Sequence, residues 1–250
     1  MTKTETLKVV CVVAVHRRYK VSIETINLLN KQTYPITIVV VGSEADKKNI
    51  GEKVECLFVV HKNLPLGKKW QAGLDYARGL SPDVVMVCGS DTWVTTDWVE
   101  KMLPYTKTHD VVGKNCFYTC NVLPNQPLEI IKRTYKDYTR RKSFPAGSGR
   151  LISRRVLNKV DWKLFPLNKN KALDGYCWAQ ISSAGGTHLV INEVEGAELL
   201  GIKSTEWGTI TSFNKLKNSR NLLDLGTSLE PERWIEENFP GYVSVIKKLV

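Results

Sequence analysis

A carboxylate ends one of the buried runs of this sequence. Gly89, Ser90 and Asp91 follow the apolar segment DVVMVC at 83–88. Gly, Ser and Asp are turn formers, so the end of a strand is one explanation of the tripeptide. The other is that Asp91 faces a ligand, because ligands of open α/β sheets bind beyond the carboxyl ends of the strands. The elements around Asp91 decide between the two.

Other polar residues occupy similar positions. His16 and Arg17 follow the apolar run LKVVCVVAV, and Ser43 follows ITIVVVG. Lys68 and Lys69 stand at the start of a predicted helix, where backbone amides and the helix dipole attract an anion such as phosphate. The sequence therefore predicts one ligand-binding edge that combines acidic and basic side chains.

The elements that position these residues alternate between strands and helices. Short continuous apolar runs are typical of strands buried on both faces. We predict strands at 7–15, 36–41, 56–60 and 83–88, and helices from Ser22, at 67–79, and from Trp98 to Leu103 after an Asp97/Glu100 capping box. Strand, helix, strand is the parallel crossover unit. The predicted fold class is therefore α/β, with a central, mostly parallel sheet flanked by helices.

The second half of the chain is less regular. It contains strand candidates near 110–120 and 187–194, a basic helical stretch at 128–142, a glycine turn at 146–149, a helix from Asp174 and a tail helix at 228–239 capped by Ser228. We divide the chain into halves 1–105 and 106–250 of one continuous domain.

The net charge of +11 is concentrated in one segment. Residues 131–171 hold thirteen Lys or Arg against two acids, so the rest of the chain is balanced. The segment is either a solvated face or a surface for a polyanion such as nucleic acid, anionic lipid headgroups or an acidic polymer. The residues chosen for such a surface are Arg140, Arg141, Lys142, Arg150, Arg154 and Arg155.

The sequence also bears on the compartment. No apolar stretch approaches the ~20 residues that span a bilayer, and the N-terminus lacks the order of a signal peptide. The six cysteines contain no CxxC pair; Cys116 and Cys120 could share a metal or a bridge, but unlinked thiols in a reducing compartment are favoured. We therefore expect a soluble, cytoplasmic protein.

Two segments resemble the GT-A glycosyltransferases of the inverting family-2 type. AVHRR at 14–18 occupies the place of the family's first strand end, and LGKKWQAGLDYARGLSPDVVMVCGSDTWVTTDWV at 66–99 follows the order of its glycine, helix and Asp-x-Asp motif. The resemblance covers residues 7–105 well and 145–182 loosely. It implies a nucleotide-diphosphate sugar donor, a UDP-sugar above all.

The resemblance also implies roles for individual residues. Asp91 would hold Mn²⁺ or Mg²⁺ at the diphosphate, and Asp174, in ALDGYCWAQ, would be the general base. His16, Arg17, Ser43, Lys68, Lys69 and Ser90 would contact the donor. The structural alternatives are a turn carboxylate at 91 and a helix cap at 174.

The sequence departs from the family pattern at several positions. Gly89 replaces the first acid of the motif, Gly42 and Ser43 replace an acidic pair after the second strand, and no histidine follows His188. A binding protein without turnover is therefore one alternative. A nucleotidyltransferase is another, although AVHRRYKVS lacks the glycines that such enzymes show after the first strand.

The basic segment guides the expectation about the acceptor. With the resemblance, it predicts DNA carrying a hydroxymethylated base, of the kind that some bacterial viruses glycosylate in the host cytoplasm, with base flipping to reach it. The alternative is a lipid or polysaccharide acceptor at an anionic membrane surface.

Overall fold

The computed structural model describes residues 6–134, 144–204, 213 and 230–249. Within these residues the chain forms a seven-stranded and a four-stranded sheet with packed helices. The strands are β1 Val9–Ala14, β2 Ile36–Gly42, β3 Leu57–Val60, β4 Val84–Gly89, β5 Thr92–Val94, β6 Val111–Gly113, β7 Cys116–Asn121, β8 Glu129–Thr134, β9 Arg150–Ser153, β10 His188–Val190 and β11 Leu199–Lys203. The helices are α1 Tyr19–Asn30, α2 Glu44–Asp46, α3 Leu66–Gly79, α4 Trp98–Met102, α5 Arg154–Lys159, α6 Leu173–Ser183, α7 Pro231–Asn238 and α8 Val243–Lys247.

The large sheet has the order β10-β6-β9-β4-β1-β2-β3. β1 runs parallel to both β2 and β4, and β2 runs parallel to β3. β9 is antiparallel to its neighbours β4 and β6, whereas β10 is parallel to β6. The predicted α/β fold with a mostly parallel sheet flanked by helices is therefore confirmed.

The central strand β1 is covered on both faces. Val9 and Val13 pack in one core cluster with Ile26 of α1, while Val10 packs in a second cluster with Leu74 of α3. Successive side chains of a strand point to opposite faces, so a strand between two helical layers needs apolar residues at every position. This requirement explains the continuous apolar run in the sequence.

The small sheet, in the order β5-β11-β7-β8, packs against the C-terminal helices. Trp93 of β5 and Leu200 of β11 share a core cluster with Trp234 of α7. The ring of Trp93 also lies 5.2 Å from that of Tyr242, centroid to centroid. Because β5 starts directly after Asp91, this acid lies at the joint between the two sheets.

The helix start predicted at Ser22 is wrong, whereas α4 begins at Trp98 as predicted but without the predicted capping box. α1 begins at Tyr19, so that Ser22 is buried inside the helix instead of opening it. Asp97 precedes α4 but makes no capping hydrogen bond with its side chain, which pairs with Lys101 at 2.6 Å. Glu100 accepts a hydrogen bond from Thr33 at 2.6 Å, so no capping box forms.

The basic stretch at 128–142 was expected to be helical, and the part at 129–134 is strand β8. β8 pairs antiparallel with β7, which places Lys132 opposite Tyr118. The Lys132 Nζ atom also lies 5.5 Å from the centre of the Tyr118 ring. The segment forms a strand because it pairs with β7, although its own sequence pattern favours a helix. The rest of the stretch and Ser228 lie outside the described residues.

Two further observations concern the expected compartment. In the part of the chain that the structure describes, no helix is both long and apolar enough to cross a bilayer. All six cysteines are free thiols.

Candidate active site

Three strand ends meet in register at one edge of the large sheet. Ala14, at the end of β1, pairs with Val41 of β2 and with Gly89 of β4. The residues that follow these strands are therefore neighbours at this edge: His16, Arg17, Arg18, Ser43, Ser90 and Asp91.

Asp91 lies at this edge between two cations. Its side chain is 10% exposed, and its Oδ2 atom contacts both the Arg18 guanidinium and the Lys203 ammonium. Burial raises the pKa of Asp91, but the charges and hydrogen bonds of Lys203 and Arg18 outweigh burial and lower the pKa to about 2. The carboxylate is therefore ionised at neutral pH.

Ser90 anchors the same turn. It is buried, and its Oγ atom accepts a hydrogen bond from the Arg18 guanidinium at 3.3 Å. Its carbonyl oxygen accepts a hydrogen bond from Thr25 of α1 at 3.1 Å. Ser90 thus links β4 to α1, and its predicted contact with a donor stays a prediction.

The residues around Asp91 do not fit a resident divalent cation. Mg²⁺ and Mn²⁺ prefer several oxygen ligands, above all carboxylates. Here the Asp91 carboxylate is already paired with two cations, and Gly89 stands where the motif has its other acid. No group of three or more His, Cys, Asp and Glu able to hold a metal occurs among the described residues. The role of Asp91 as a metal ligand stays a prediction.

His16 and Arg17 are exposed at the end of β1. Arg17 and Arg18 have φ angles of 54° and 47°, in the left-handed region that residues with a Cβ atom rarely adopt. The Arg17 amide donates a hydrogen bond to Asp46 at 3.0 Å, which holds this conformation. Desolvation and the charge of Lys69 lower the pKa of His16. Both predicted donor contacts stay predictions.

Ser43 caps the helical turn α2. Its Oγ atom accepts a hydrogen bond from the Asp46 amide at 3.3 Å and donates one to the Asp46 carboxylate at 2.7 Å. Ser43 also borders a cavity of about 640 Å³ at the ends of β2 and β3, a volume typical of sites for small molecules. The lining residues are Ser43, Glu44, Val60, His61, Lys62, Leu64, Pro65 and Lys68.

The two lysines at the start of α3 have different environments. Lys68 lines the cavity. Lys69 is fully buried, and its Nζ atom donates hydrogen bonds to the Val15 carbonyl and, at 2.7 Å, to Asn63. Burial lowers the pKa of Lys69 to about 8. The predicted phosphate contact of Lys69 is therefore corrected: this side chain supports the end of β1 from inside the protein.

The first two amides of α3 are already hydrogen-bonded within the protein. The Leu66 amide donates to Asn170 Oδ1 at 2.7 Å, and the Gly67 amide donates to the Lys169 carbonyl at 2.8 Å. A Cβ atom on Gly67 would lie 1.9 Å from the Pro166 carbonyl oxygen, so the loop packs directly on the helix. A loop therefore occupies these two amides of the predicted anion site, and the predicted phosphate contact of Lys68 stays a prediction.

Asp174 lies in the first turn of α6 with its side chain 58% exposed. Ala172 occupies the N-cap position of α6, and no side chain caps the helix, so the helix-cap explanation of Asp174 does not hold. Arg150 donates a hydrogen bond to Asp174 Oδ1 at 3.3 Å. A Cβ atom on Gly147 would lie 2.2 Å from the same oxygen, so the backbone at 147 lies against the carboxylate. Arg150 and Gly147 thus orient an acid that is open to solvent.

The glycine turn at 146–149 connects the two acids. The Gly89 amide donates a hydrogen bond to Ser148 at 2.7 Å, directly before the turn that carries Asp91. The same glycine turn contacts the carboxylate of Asp174 through its backbone. Asp91 and Asp174 are therefore held on either side of one turn.

Three of the six residues of the predicted basic surface have other roles. Arg150 is 2% exposed and pairs with Asp174, so it is not a surface residue. Arg154 donates to the Pro82 carbonyl, and Arg155 pairs with Asp110 at 2.7 Å. Because β9 runs antiparallel to β4, Arg154 and Arg155 lie at the sheet edge opposite Asp91.

The other three residues of that surface lie outside the described residues: Arg140, Arg141 and Lys142. Among the described residues of that surface, Arg150 is buried beside Asp174 while Arg154 and Arg155 lie at the opposite sheet edge, so these three do not share one surface.

Sequence reasoning missed Arg18 and Lys203. Arg18 was available as the next residue after Arg17 at a strand end. Lys203 ends β11, which was not predicted, although LLGI at 199–202 is a short apolar run that ends in a charge. Asp46 follows β2 and accepts hydrogen bonds from the backbone amides of Ser43 and Arg17.

The model of the family described as glycosyl transferase family 2 matches residues 10–161. This match spans more than half of the chain, so the chain belongs to that family. The predicted GT-A, family-2-like character is thereby confirmed at the level of family and fold. Among curated proteins, none matches this chain.

Solved structures show the same fold. The structure of S. aureus TarS 1-349 in complex with UDP-GlcNAc is 18% identical, with a TM-score of 0.57 over 79% of this chain and 59% of that chain. The mannosyltransferase PcManGT from Pyrobaculum calidifontis in complex with GDP-Man and Mn²⁺ is 14% identical, with a TM-score of 0.52 over 80% of this chain and 57% of that chain. The chain therefore spans less than two thirds of each matched structure, and at these identities the likeness shows the fold alone.

Proposed function

We propose that this chain transfers a sugar from a nucleotide-diphosphate sugar, a UDP-sugar in the first instance, to an acceptor hydroxyl with inversion at the anomeric carbon. Membership in glycosyl transferase family 2 supports the donor class. The observation that carries the proposal is the placement of Asp174, an exposed carboxylate oriented by Arg150 and held beside the turn that contacts the Asp91 strand.

The half at 1–105 supplies the donor side. The cavity at the ends of β2 and β3 accepts the nucleoside, with Ser43, His61 and Lys68 at its wall. The adjacent strand ends carry His16, Arg17 and Ser90 toward the same edge. In this arrangement the donor lies along the carboxyl ends of the strands, where open α/β sheets bind their ligands.

The half at 106–250 supplies the acceptor side and the base. Asp174 takes the proton of the acceptor hydroxyl as the acceptor oxygen forms a bond to the anomeric carbon. The bond from that carbon to the diphosphate oxygen breaks, and its electron pair leaves with the nucleoside diphosphate. Attack and departure take place on opposite faces of the sugar, which inverts the anomeric centre.

The experiment that tests this role changes Asp174 to Asn. We expect turnover to fall by about 10²–10⁴-fold, because general-base assistance is lost. Binding of UDP, measured by calorimetry, is expected to stay unchanged, because Asp174 acts on the acceptor. Full turnover of Asp174→Asn at saturating acceptor would remove this residue from the mechanism.

A matched pair of glycine variants tests the geometry separately. Gly147→Ala places a Cβ atom 2.2 Å from the Asp174 carboxylate, so the carboxylate must move. A displacement of this kind is expected to lower turnover by about 10²-fold. Gly79→Ala is the control, because a Cβ atom there meets nothing within 4 Å. Equal turnover in the two variants would contradict the assigned position of the base.

The acceptor is proposed only as a hydroxyl compound. The predicted hydroxymethylated base in DNA depended on the basic segment, of which Arg150, Arg154 and Arg155 face other partners. DNA therefore stays a prediction that depends on the remaining basic residues. A lipid or polysaccharide acceptor stays its alternative, and transfer from a UDP-sugar to each acceptor class distinguishes them.

A further inference from the structure

Arg18, Asp91 and Lys203 converge from three separate elements. Arg18 follows β1, Asp91 follows β4, and Lys203 ends β11 of the small sheet. Both cations contact the Oδ2 atom of Asp91. The three side chains are 22%, 10% and 17% exposed in that order, so the group is enclosed by protein but open at the ligand edge.

The backbone holds these side chains in place. Arg18 has a left-handed φ angle, which is unfavourable for a residue with a Cβ atom and persists only where the surroundings enforce it. The Asp91 carbonyl accepts a hydrogen bond from the Ile202 amide at 2.8 Å, which fixes the end of β11 beside the acid. Strain of this type occurs preferentially at binding and catalytic sites.

The charge of this group favours an anion over a cation. Two positive side chains and one carboxylate sum to one positive charge. A divalent cation that approaches Asp91 meets two positive charges already on the same oxygen, and it must displace at least one of them. A diphosphate is attracted to both cations, and it can accept hydrogen bonds from the guanidinium and the ammonium at once.

We propose that Arg18 and Lys203 bind the diphosphate of the donor directly, that Asp91 positions them, and that transfer proceeds without a divalent cation. This inference rests on the proposed function. When the bond between the anomeric carbon and the diphosphate breaks, the departing oxygen gains the electron pair. The guanidinium and ammonium charges stabilise that oxygen, the role that a metal ion has in many transferases of nucleotide sugars.

The test measures UDP and GDP binding to the whole chain by calorimetry, once in EDTA and once with excess Mn²⁺. For the nucleotide that binds, we expect the two dissociation constants to agree within about threefold, a difference well below 1.4 kcal/mol. This comparison uses the unmodified protein, so it does not depend on how any variant folds.

Variants then assign the binding to the two cations. Arg18→Gln and Lys203→Met are each expected to weaken binding in EDTA by about 10–100-fold, the loss of one hydrogen bond between charged groups. Lys203→Arg keeps the charge and is expected to retain most of the affinity. Lys8→Met is the matched control, because Lys8 precedes β1 at the opposite edge of the sheet.

The outcomes separate this inference from the proposed function. Binding that requires Mn²⁺, or binding in EDTA that Arg18→Gln and Lys203→Met leave unchanged, overturns the inference and leaves the proposed function standing. Absence of UDP and GDP binding under both conditions overturns both. Metal-independent binding that the two charge-removing variants weaken and the control does not supports the direct role of the cations.

Discussion

Replacing Asp91 by Asn is expected to destabilise the fold. The pKa of Asp91 is about 2 against an ordinary value of 3.8, so its charged form is favoured in the folded state. This difference corresponds to about 2 kcal/mol of folding free energy at pH 7. Asn has the shape of the protonated acid and loses that contribution. It also leaves Arg18 and Lys203 close together without the charge between them.

The stabilisation by Asp91 should depend on pH. Because the pKa is lowered on folding, the stabilisation is complete above about pH 4 and is lost as the pH falls through 2. Urea unfolding of both proteins at several pH values measures it. The free energy of unfolding of Asp91→Asn should lie about 2 kcal/mol below that of the wild type at pH 7, and the gap should close toward pH 2.

Asp75→Asn is the control variant for this measurement. Asp75→Asn removes an exposed carboxylate on α3 that accepts a hydrogen bond from Gln71 at 2.7 Å, and the amide oxygen of Asn keeps that acceptor. Little change is expected there. Should Asp91→Asn be as stable as the wild type at pH 7, or should the gap persist at pH 2, the ion pairs assigned to Asp91 would not hold in solution.

Two further predictions concern the buried cations Arg150 and Lys69. Arg150→Met replaces a charge that is 2% exposed by an apolar side chain of similar length, so the free energy of unfolding should stay constant or rise by about 1 kcal/mol, while turnover falls because Asp174 loses its partner. A marked loss of stability in urea unfolding would contradict this. Lys69 has a pKa of about 8 against an ordinary value of 10.5, so between these pH values the unfolded chain binds a proton that the folded protein does not. The free energy of unfolding of the wild type should therefore rise, relative to that of Lys69→Met, by up to about 3 kcal/mol from pH 8 to 10.5. Thermal melts across that range check it, and a flat difference would show that Lys69 titrates normally.

The sequence was sufficient for the parts of the fold that obey local periodicity. β1, β2, β3, β4 and α3 are continuous apolar runs or a helix bounded by glycine, and the structure has them within a few residues of the predicted bounds. A strand at 129–134 could not be predicted, because its cause is pairing with β7 and not its own residue pattern. Local propensity is a weak guide where a neighbouring strand supplies the partners.

The strand-end positions of the site, those of His16, Arg17, Ser43, Ser90 and Asp91, were predictable, whereas the ionic partners of Asp91 were not. Asp91 comes just after a buried apolar run and Asp174 begins a predicted helix, and both features can be read from the sequence alone. Coverage of the Leu66 and Gly67 amides depends on a loop about one hundred residues further on, at 169–170. Lys69 is held by the Val15 carbonyl and by Asn63. The pairing of Asp91 with Lys203 likewise requires the small sheet, whose strand β11 lies far from β4 in sequence.

The stop of a buried strand at a charged residue now has a physical reason. β4 belongs to the large sheet and β5 to the small one, so the chain must turn at Asp91. A turn at this joint exposes backbone to the ligand edge, where one cation from each sheet, Arg18 and Lys203, contacts Asp91.

The charge of Asp91 has its own reason. Like charges at that distance repel each other, and a carboxylate between them makes their proximity stable without cancelling the net positive charge. A neutral turn residue would satisfy the backbone equally well, but it would leave Arg18 and Lys203 free to separate. Asp91 therefore serves the fold and the anion site through the same two contacts, which is why its replacement should lower both stability and nucleotide affinity.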